Sequence, residues 1–242
     1  MTKILVIGES CLDEFVYCDA ERLAPDLPIP ILKIKEVRKN PGMAMNVLKN
    51  IQTYVSDVSI LTNSNWENVK KTRYVDFNTN HSFIRIDTQD EVEKIVLNGD
   101  LSGHDLVVVS DYNKGYMDED TIKKITKMHP KVFLDTKKIL GHWAEEALFI
   151  KINDFEFRNS INNIDKKLKD KIIHTKGSLG CDFQGRNFPV NPVEVKDSSG
   201  AGDSFMAALV IDYLASEDIE KSILYANKMA SRVVSERGVT LI

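Results

Sequence analysis

Short apolar runs that stop at a polar or acidic residue constrain this chain more than any other feature. Ile4 to Ile7 ends at Gly8, and Asp105–Ser110 carries Leu106 to Val109 up to Asp111. Val132–Asp135, Leu148–Lys151 and Ile172–Thr175 repeat the pattern. Runs without alternation suit strands covered on both faces, as parallel strands are. Helical spacing lies between some of them. Ala44, Val47, Leu48 and Ile51 follow Pro41-Gly42, and Ile122, Ile125 and Met128 follow the acidic opening Asp118-Glu119-Asp120. From Ala201 to about Arg237 the pattern is that of two helices with a break near Ser216. Strand and helix in alternation predict an α/β core with a mostly parallel sheet. Ligands of such sheets gather at the carboxyl ends of strands, where Asp111, Asp135 and Asn153 lie.

Residues 15–38 break the alternation. Phe15–Cys18 and Ile29–Ile34 read as strands around a turn with prolines at 25, 28 and 30, which suits edge strands. Phe83 to Ile86 adds another, so that 15–38 and about 82–87 are expected to form a small β-sheet projecting from the core. The length of 242 residues suits one large domain, or one domain with a small appendage. Cys11, Cys18 and Cys181 form no CxxC pair and no Cys/His cluster, which points away from disulfides and structural zinc and towards a reducing cytoplasm. The first apolar stretch is too short for a signal sequence or a membrane span. A pI near 5.8 argues against a general nucleic-acid binder, while leaving room for local basic patches.

The chemistry concentrates at Asp197-Ser198-Ser199-Gly200-Ala201-Gly202-Asp203-Ser204-Phe205, ahead of a helix. Small residues at 200–202 let a ligand approach the backbone. A helix N-terminus then offers unpaired N–H groups and a positive dipole end to an anion. Asp203 would stand beside that anion, placed to take a proton from an attacking hydroxyl. The plainer alternative is a glycine-containing loop with Asp203 as a first-turn acid favoured by the dipole. The string is not a Walker A loop, and none occurs in the chain.

That segment resembles the D-T-x-G-A-G-D-x-F signature of the ribokinase-like (PfkB) carbohydrate kinases, with Ser198 for Thr. Lys151–Phe157 resembles the family's N-x-x-E segment, and Thr175–Gly180 its T-x-G-x-x-G turn. Ala226-Asn227 resembles an A-N pair near the nucleotide, and Gly8–Asp13 the G-D-x-x-x-D opening, with Glu9 for the first Asp. The order along the chain is the family's. The resemblance implies a single three-layer kinase domain with a β-lid that pairs two subunits in a homodimer. It implies ATP and Mg²⁺ as cofactors. Asp203 would be the base and Gly200, Ala201 and Gly202 the anion loop. Asn153 and Glu156 would meet Mg²⁺ through water, and Thr175, Gly177, Gly180 and Asn227 would lie on the nucleotide side. Asp13 would bind sugar hydroxyls. The partners implied are a small sugar or sugar phosphate, with neither nucleic acid nor membrane.

One branch, the heptose-7-phosphate kinases, is similar over nearly the whole chain. Arg22–Pro30, Asn40–Val47, Lys71–Val75, Ile84–Asp87 and Ser110–Gly115 resemble its R-x-S-P-E-x-P-x-P, R-P-G-G-A-A-N-V, K-x-R, R-x-D and S-D-Y-x-K-G segments. This adds Gly42, Asn46, Arg73, Arg85, Asp111 and Lys114 as substrate-side candidates, the two arginines and the lysine for a substrate phosphate. The chain departs from the pattern at Met43, where the branch has glycine, and in shorter stretches at 61–70 and 157–171. The implied reaction is phosphoryl transfer from ATP to a hydroxyl of a sugar or sugar phosphate, with the anomeric hydroxyl of heptose 7-phosphate as one acceptor. The alternatives are a kinase for another sugar phosphate or a nucleoside, a non-catalytic sugar or nucleotide sensor, and a plain α/β binding protein.

Overall fold

The computed structural model describes residues 2–88 and 91–242. Its strands are β1 (Lys3–Gly8), β2 (Ser10–Leu23), β3 (Pro30–Met43), β4 (Asp57–Leu61), β5 (Lys70–Asp76), β6 (Ser82–Thr88), β7 (Leu106–Asp111), β8 (Val132–Thr136), β9 (Phe149–Asn153), β10 (Ile172–Thr175), β11 (Cys181–Phe183) and β12 (Arg186–Phe188). Its α-helices are α1 (Ala44–Gln52), α2 (Glu119–Met128), α3 (Asp154–Ser160), α4 (Lys166–Lys169), α5 (Ala201–Ser216) and α6 (Ile219–Val234). Among the described residues these strands form two sheets. The larger runs β12-β11-β10-β9-β8-β7-β1-β4 and the smaller β3-β2-β5-β6.

From β4 to β10 every neighbouring pair in the large sheet is parallel; at its edge β11 pairs antiparallel with both β10 and β12. The apolar runs explain this. Alternate residues of one strand enter opposite cores, so both faces must be covered. Ile4 and Val6 pack with α1, α5 and α6, while Leu5 and Ile7 pack with α2 and Trp143. The result is three layers. β1 is followed outward on one side by β4 and on the other by β7, so the strand order switches between β1 and β7. That crevice is where open α/β sheets bind ligands.

The small sheet exceeds the expected bounds. β2 and β3 begin and end next to the core, at Ser10 and Met43, and β5 joins as a parallel partner of β2. Register assigns its faces. Cys11, Asp13, Phe15, Tyr17, Lys71, Arg73, Arg85 and Asp87 share the inner one. Val37, Ile84 and Ile86 share the outer one, and all three are exposed. The expected helix break at Ser216 is the α5–α6 junction, where Asp218 caps α6 by accepting from the Glu220 and Lys221 N–H groups. The three cysteines are free and buried. Among the described residues, no helix is long and apolar enough to cross a membrane.

Candidate active site

α5 starts without a side-chain cap, and Gly200 before it has φ 77°, a left-handed conformation that glycine adopts at little cost. The first helical rung is Ser204 N–H donating to Gly200 O, so the amides of Gly202 and Asp203 precede the ladder. A Cβ on Gly202 would stand 3.0 Å from Lys151 Nζ. The missing side chain therefore leaves a buried ammonium open towards the helix end. Asp135 is the only hydrogen-bonded partner of that ammonium among the described residues, at 2.6 Å, although an ammonium has three donors.

Asp203 is buried in the first turn of α5. Asn46 Nδ2, from α1, donates to its Oδ2 at 2.9 Å, and the Tyr112 hydroxyl, just past β7, donates to its Oδ1 at 2.5 Å. Burial pushes the Asp203 carboxyl up to about 6; those two hydrogen bonds and Lys151 pull against the rise, and Asp135 adds to it.

Around Asp203 the strand ends supply charge. Asp135, one residue before the end of β8, lies between two lysines, Lys151 at 2.6 Å and Lys137 at 3.6 Å. Burial works against its charge, but the lysines outweigh it and hold the carboxyl below its usual range. Lys137 also meets Glu156 at 2.7 Å. Its own desolvation is outweighed by Asp135 and Glu156, which raise its proton affinity. Glu9, just past β1, is fully buried and accepts from the N–H groups of Tyr112 and Lys114, both at 2.9 Å. Burial, then the nearby Asp111, raises its carboxyl.

The expected site residues fall into four groups. Gly200, Ala201, Gly202 and Asp203 meet Asn46 at the β1–β7 crevice. Asp13 and Gly42 lie against each other on the inner face of the small sheet: a Cβ on Gly42 would come within 2.2 Å of Asp13 Oδ2. Asp13 Oδ1 accepts from Arg73 at 2.7 Å, while Arg85 makes two bonds of 2.6 Å to Asp87. The Arg85 bonds come first in holding the Asp87 carboxyl well below its usual range, with Lys71 adding to them. Asn153 and Glu156 form a reciprocal capping box on α3, each accepting from the other's backbone N–H. Asn153 Nδ2 and Lys137 then take the remaining Glu156 oxygen. Thr175 ends β10 next to the turn holding Gly177 and Gly180, and Asn227 on α6 donates to Phe188 O, binding that helix to the edge hairpin.

Asp111 is brought to the crevice but turned into the structure. Its carboxylate accepts from Thr136 Oγ1 at 2.6 Å, the Asn113 N–H and Lys138 Nζ. Lys114 contributes its backbone to the Glu9 contact. Tyr112, Lys137 and Lys151 had no place among the expected site residues. Each is a polar residue at or just past an apolar strand, the signal that singled out Asp111 and Asn153.

The fold matches known proteins. A nucleoside kinase from Methanocaldococcus jannaschii, described as an archaeal member of the ribokinase family, superposes with TM-score 0.68 at 22% identity, covering 98% of this chain and 93% of that one. Ribokinase from Thermotoga maritima superposes with TM-score 0.70 at 16% identity, covering 99% and 95%. The fold is therefore ribokinase-like. A family model, "pfkB family carbohydrate kinase", matches residues 50–242. The chain belongs to the pfkB family of carbohydrate kinases. Among curated relatives, the bifunctional protein HldE of Helicobacter pylori J99 is 27% identical over 301 aligned positions, which cover all of this chain and 64% of that protein. HldE of Campylobacter fetus is 27% identical over 298 positions, covering 98% and 64%. The chain thus spans about two thirds of the length of these relatives, just short of that fraction.

Proposed function

We propose that the chain is an ATP-dependent sugar kinase in which Asp203 accepts the proton of the attacking hydroxyl. The observation that carries this reading is the setting of Asp203. It is a buried carboxylate of raised proton affinity at an uncapped helix N-terminus, in the crevice under the inner face of the small sheet. A general base works best when its pKa is near the working pH. The helix end supplies N–H groups and a dipole for the charge of the phosphoryl group in transfer. Lys151 adds a buried positive charge behind Gly202.

The nucleotide would lie over the ends of β9 and β10, with Thr175, Gly177, Gly180 and Asn227 along its side. Mg²⁺ would supply charge neutralisation to the ATP phosphates. Both oxygens of Glu156 are already engaged by Asn153 and Lys137, so Asn153 and Glu156 fit a contact with the metal's water shell rather than direct ligation.

The acceptor would lie between Asp203 and the small sheet, with Asp13, Gly42 and Asn46 around it and the sheet acting as a lid. Heptose 7-phosphate, attacked through its anomeric hydroxyl, suits the likeness to HldE and the cations Arg73, Arg85 and Lys114 for its phosphate. A second reading, another sugar phosphate as acceptor, is favoured by Met43. Its side chain is buried beside Cys11 and Tyr112, where it would narrow the side on which the acceptor is proposed to lie.

The test is an ADP-release screen over sugars and sugar phosphates. Turnover that rises above background for one compound and disappears in Asp203→Asn supports the reading; no turnover on any compound with ATP and Mg²⁺ overturns it. If the acceptor is phosphorylated, Arg85→Ala raises its KM more than tenfold with little change for ATP, because a charge-assisted contact is worth about 1.5–3 kcal/mol. An unchanged KM removes Arg85 from the phosphate site.

A further inference from the structure

We propose that Tyr112 is a positioning residue whose hydroxyl orients the Asp203 carboxylate and holds it in the proton-accepting form. The proposal rests on the reading of Asp203 as the base and names the group that prepares it.

Tyr112 is fixed from several directions before its side chain does anything. Its N–H is gripped by one oxygen of the buried Glu9, and Lys114 N–H by the other. The preceding residue, Asp111, is tied to Thr136 on β8 and to Lys138. The ring packs against the cluster of Cys11, Met43 and Val69, and Lys137 Nζ lies 5.3 Å from its centroid. A hydroxyl carried on so constrained a ring has a defined place, and that place is 2.5 Å from Asp203 Oδ1. Asn46 holds the other carboxylate oxygen from the far side. Two donors on two different oxygens fix the plane of the carboxylate. Each oxygen accepts two hydrogen bonds, so a lone pair on each is left for an acceptor hydroxyl.

The chemistry of the donor sets the direction of its effect. Burial, then the charges of Asp203 and Asp135, raise the Tyr112 phenol well above its ordinary value, so it stays a neutral donor. A donor to a carboxylate stabilises the ionised form. The other groups that face Asp203 are Asp135 from β8, Lys151 from β9, Lys137 just past β8 and Cys11 from β2. Burial pushes the Cys11 thiol up to about 12, so it is neutral wherever Asp203 titrates. Lys137 carries its charge throughout that range, and Asp135 is held ionised by the two lysines. Over the range in which Asp203 titrates, Tyr112 is therefore a constant donor.

The experiment follows the Asp203 carboxyl directly. Carbon-13 signals of labelled aspartates are titrated in the full chain, with Asp203→Asn used to assign the Asp203 resonance. In Tyr112→Phe the midpoint moves up by about one to two pH units, the equivalent of losing one hydrogen bond to a charged group. Replacing Tyr112 by 3-fluorotyrosine, a more acidic phenol and a stronger donor that keeps the ring, moves it down. The acid limb of kcat/KM moves in the same two directions. A purely structural role would lower the rate at every pH and leave the midpoints alone. Midpoints unchanged in both variants overturn the proposal. If no sugar is phosphorylated, the kinase reading fails, yet the carboxyl titration still decides the role of Tyr112.

Discussion

Asp203 sits where burial raises its proton affinity to about 6 and where Tyr112 and Asn46 resist the rise. Two consequences follow from one number. Transfer should fall as pH drops through about 6, because the proposed base is then protonated. Asp203→Asn should cost about 10²–10⁴-fold in turnover at neutral pH, measured by ADP release. Stability runs the other way. A carboxyl whose folded pKa is raised contributes stability that is present below its unfolded value and lost as pH rises through about 6. A rise from 3.8 to about 6 corresponds to about 3 kcal/mol at most. The melting temperature of Asp203→Asn relative to the parent should therefore be more favourable at pH 8 than at pH 4.5. Equal differences at the two pH values would mean that the carboxyl is not strained by its burial.

At the scale of elements, Met43 is the point of conflict. It precedes α1 with φ 59° and ψ −133°, a region that a side chain enters at a cost of about 1–3 kcal/mol. It is nevertheless 4% exposed and packed in a cluster. Truncation to alanine leaves the cavity and keeps the strain, whereas glycine leaves the cavity and releases the strain. Met43→Gly should thus be more stable than Met43→Ala by roughly 1 kcal/mol, the reverse of the usual order. Denaturant unfolding of the two variants decides it. The conflict was legible in the sequence as a methionine at a glycine position, and so were β1, β7, β8, β9 and β10, whose apolar runs need no partner to be recognised. β4 and the β11–β12 hairpin carry no such run: β4 alternates, and the hairpin strands are three residues long. β5 was read only as the Lys71–Val75 stretch resembling a K-x-R segment, because its identity as a strand depends on pairing with β2 and β6. The proposed anion loop, Gly200 to Asp203, could be picked out as a candidate because its residues are consecutive. The grip of Glu9 on Tyr112, and of Lys137 on Asp135 and Glu156, was not, because those partners meet only when separate strand ends are brought into one crevice.

For the whole molecule, the small sheet raises the question of what covers its outer face. Ile34, Val37, Ile84 and Ile86 are all about half or more exposed there, between 45% and 61%. Exposed apolar sheet surface of this kind mediates association. A second copy of the chain is the expected cover, and Ile84→Lys combined with Ile86→Lys should convert a dimer to a monomer in light scattering without loss of fold. A parent protein that is monomeric at working concentration counts against the pairing.

The inner side of that sheet is moored as well. Arg237 lies over the rings of Tyr17 and Phe77, at 5.6 and 5.8 Å, and donates to Phe77 O and to Asn80 Oδ1. Asn80 in turn donates to Lys196 O at 2.7 Å, and the Lys196 and Asp197 amides are held on Val234 O just before the Gly200–Asp203 segment. The turn at 76–81 and the approach to Gly200 are thus rungs of one ladder, although more than a hundred residues separate them. Their amides should open to solvent together. Hydrogen–deuterium exchange of Asn80, Lys196 and Asp197 should quicken in concert in Arg237→Ala. A variant in which only one of the two stretches exchanges faster would show that the sheet swings without carrying the loop with it.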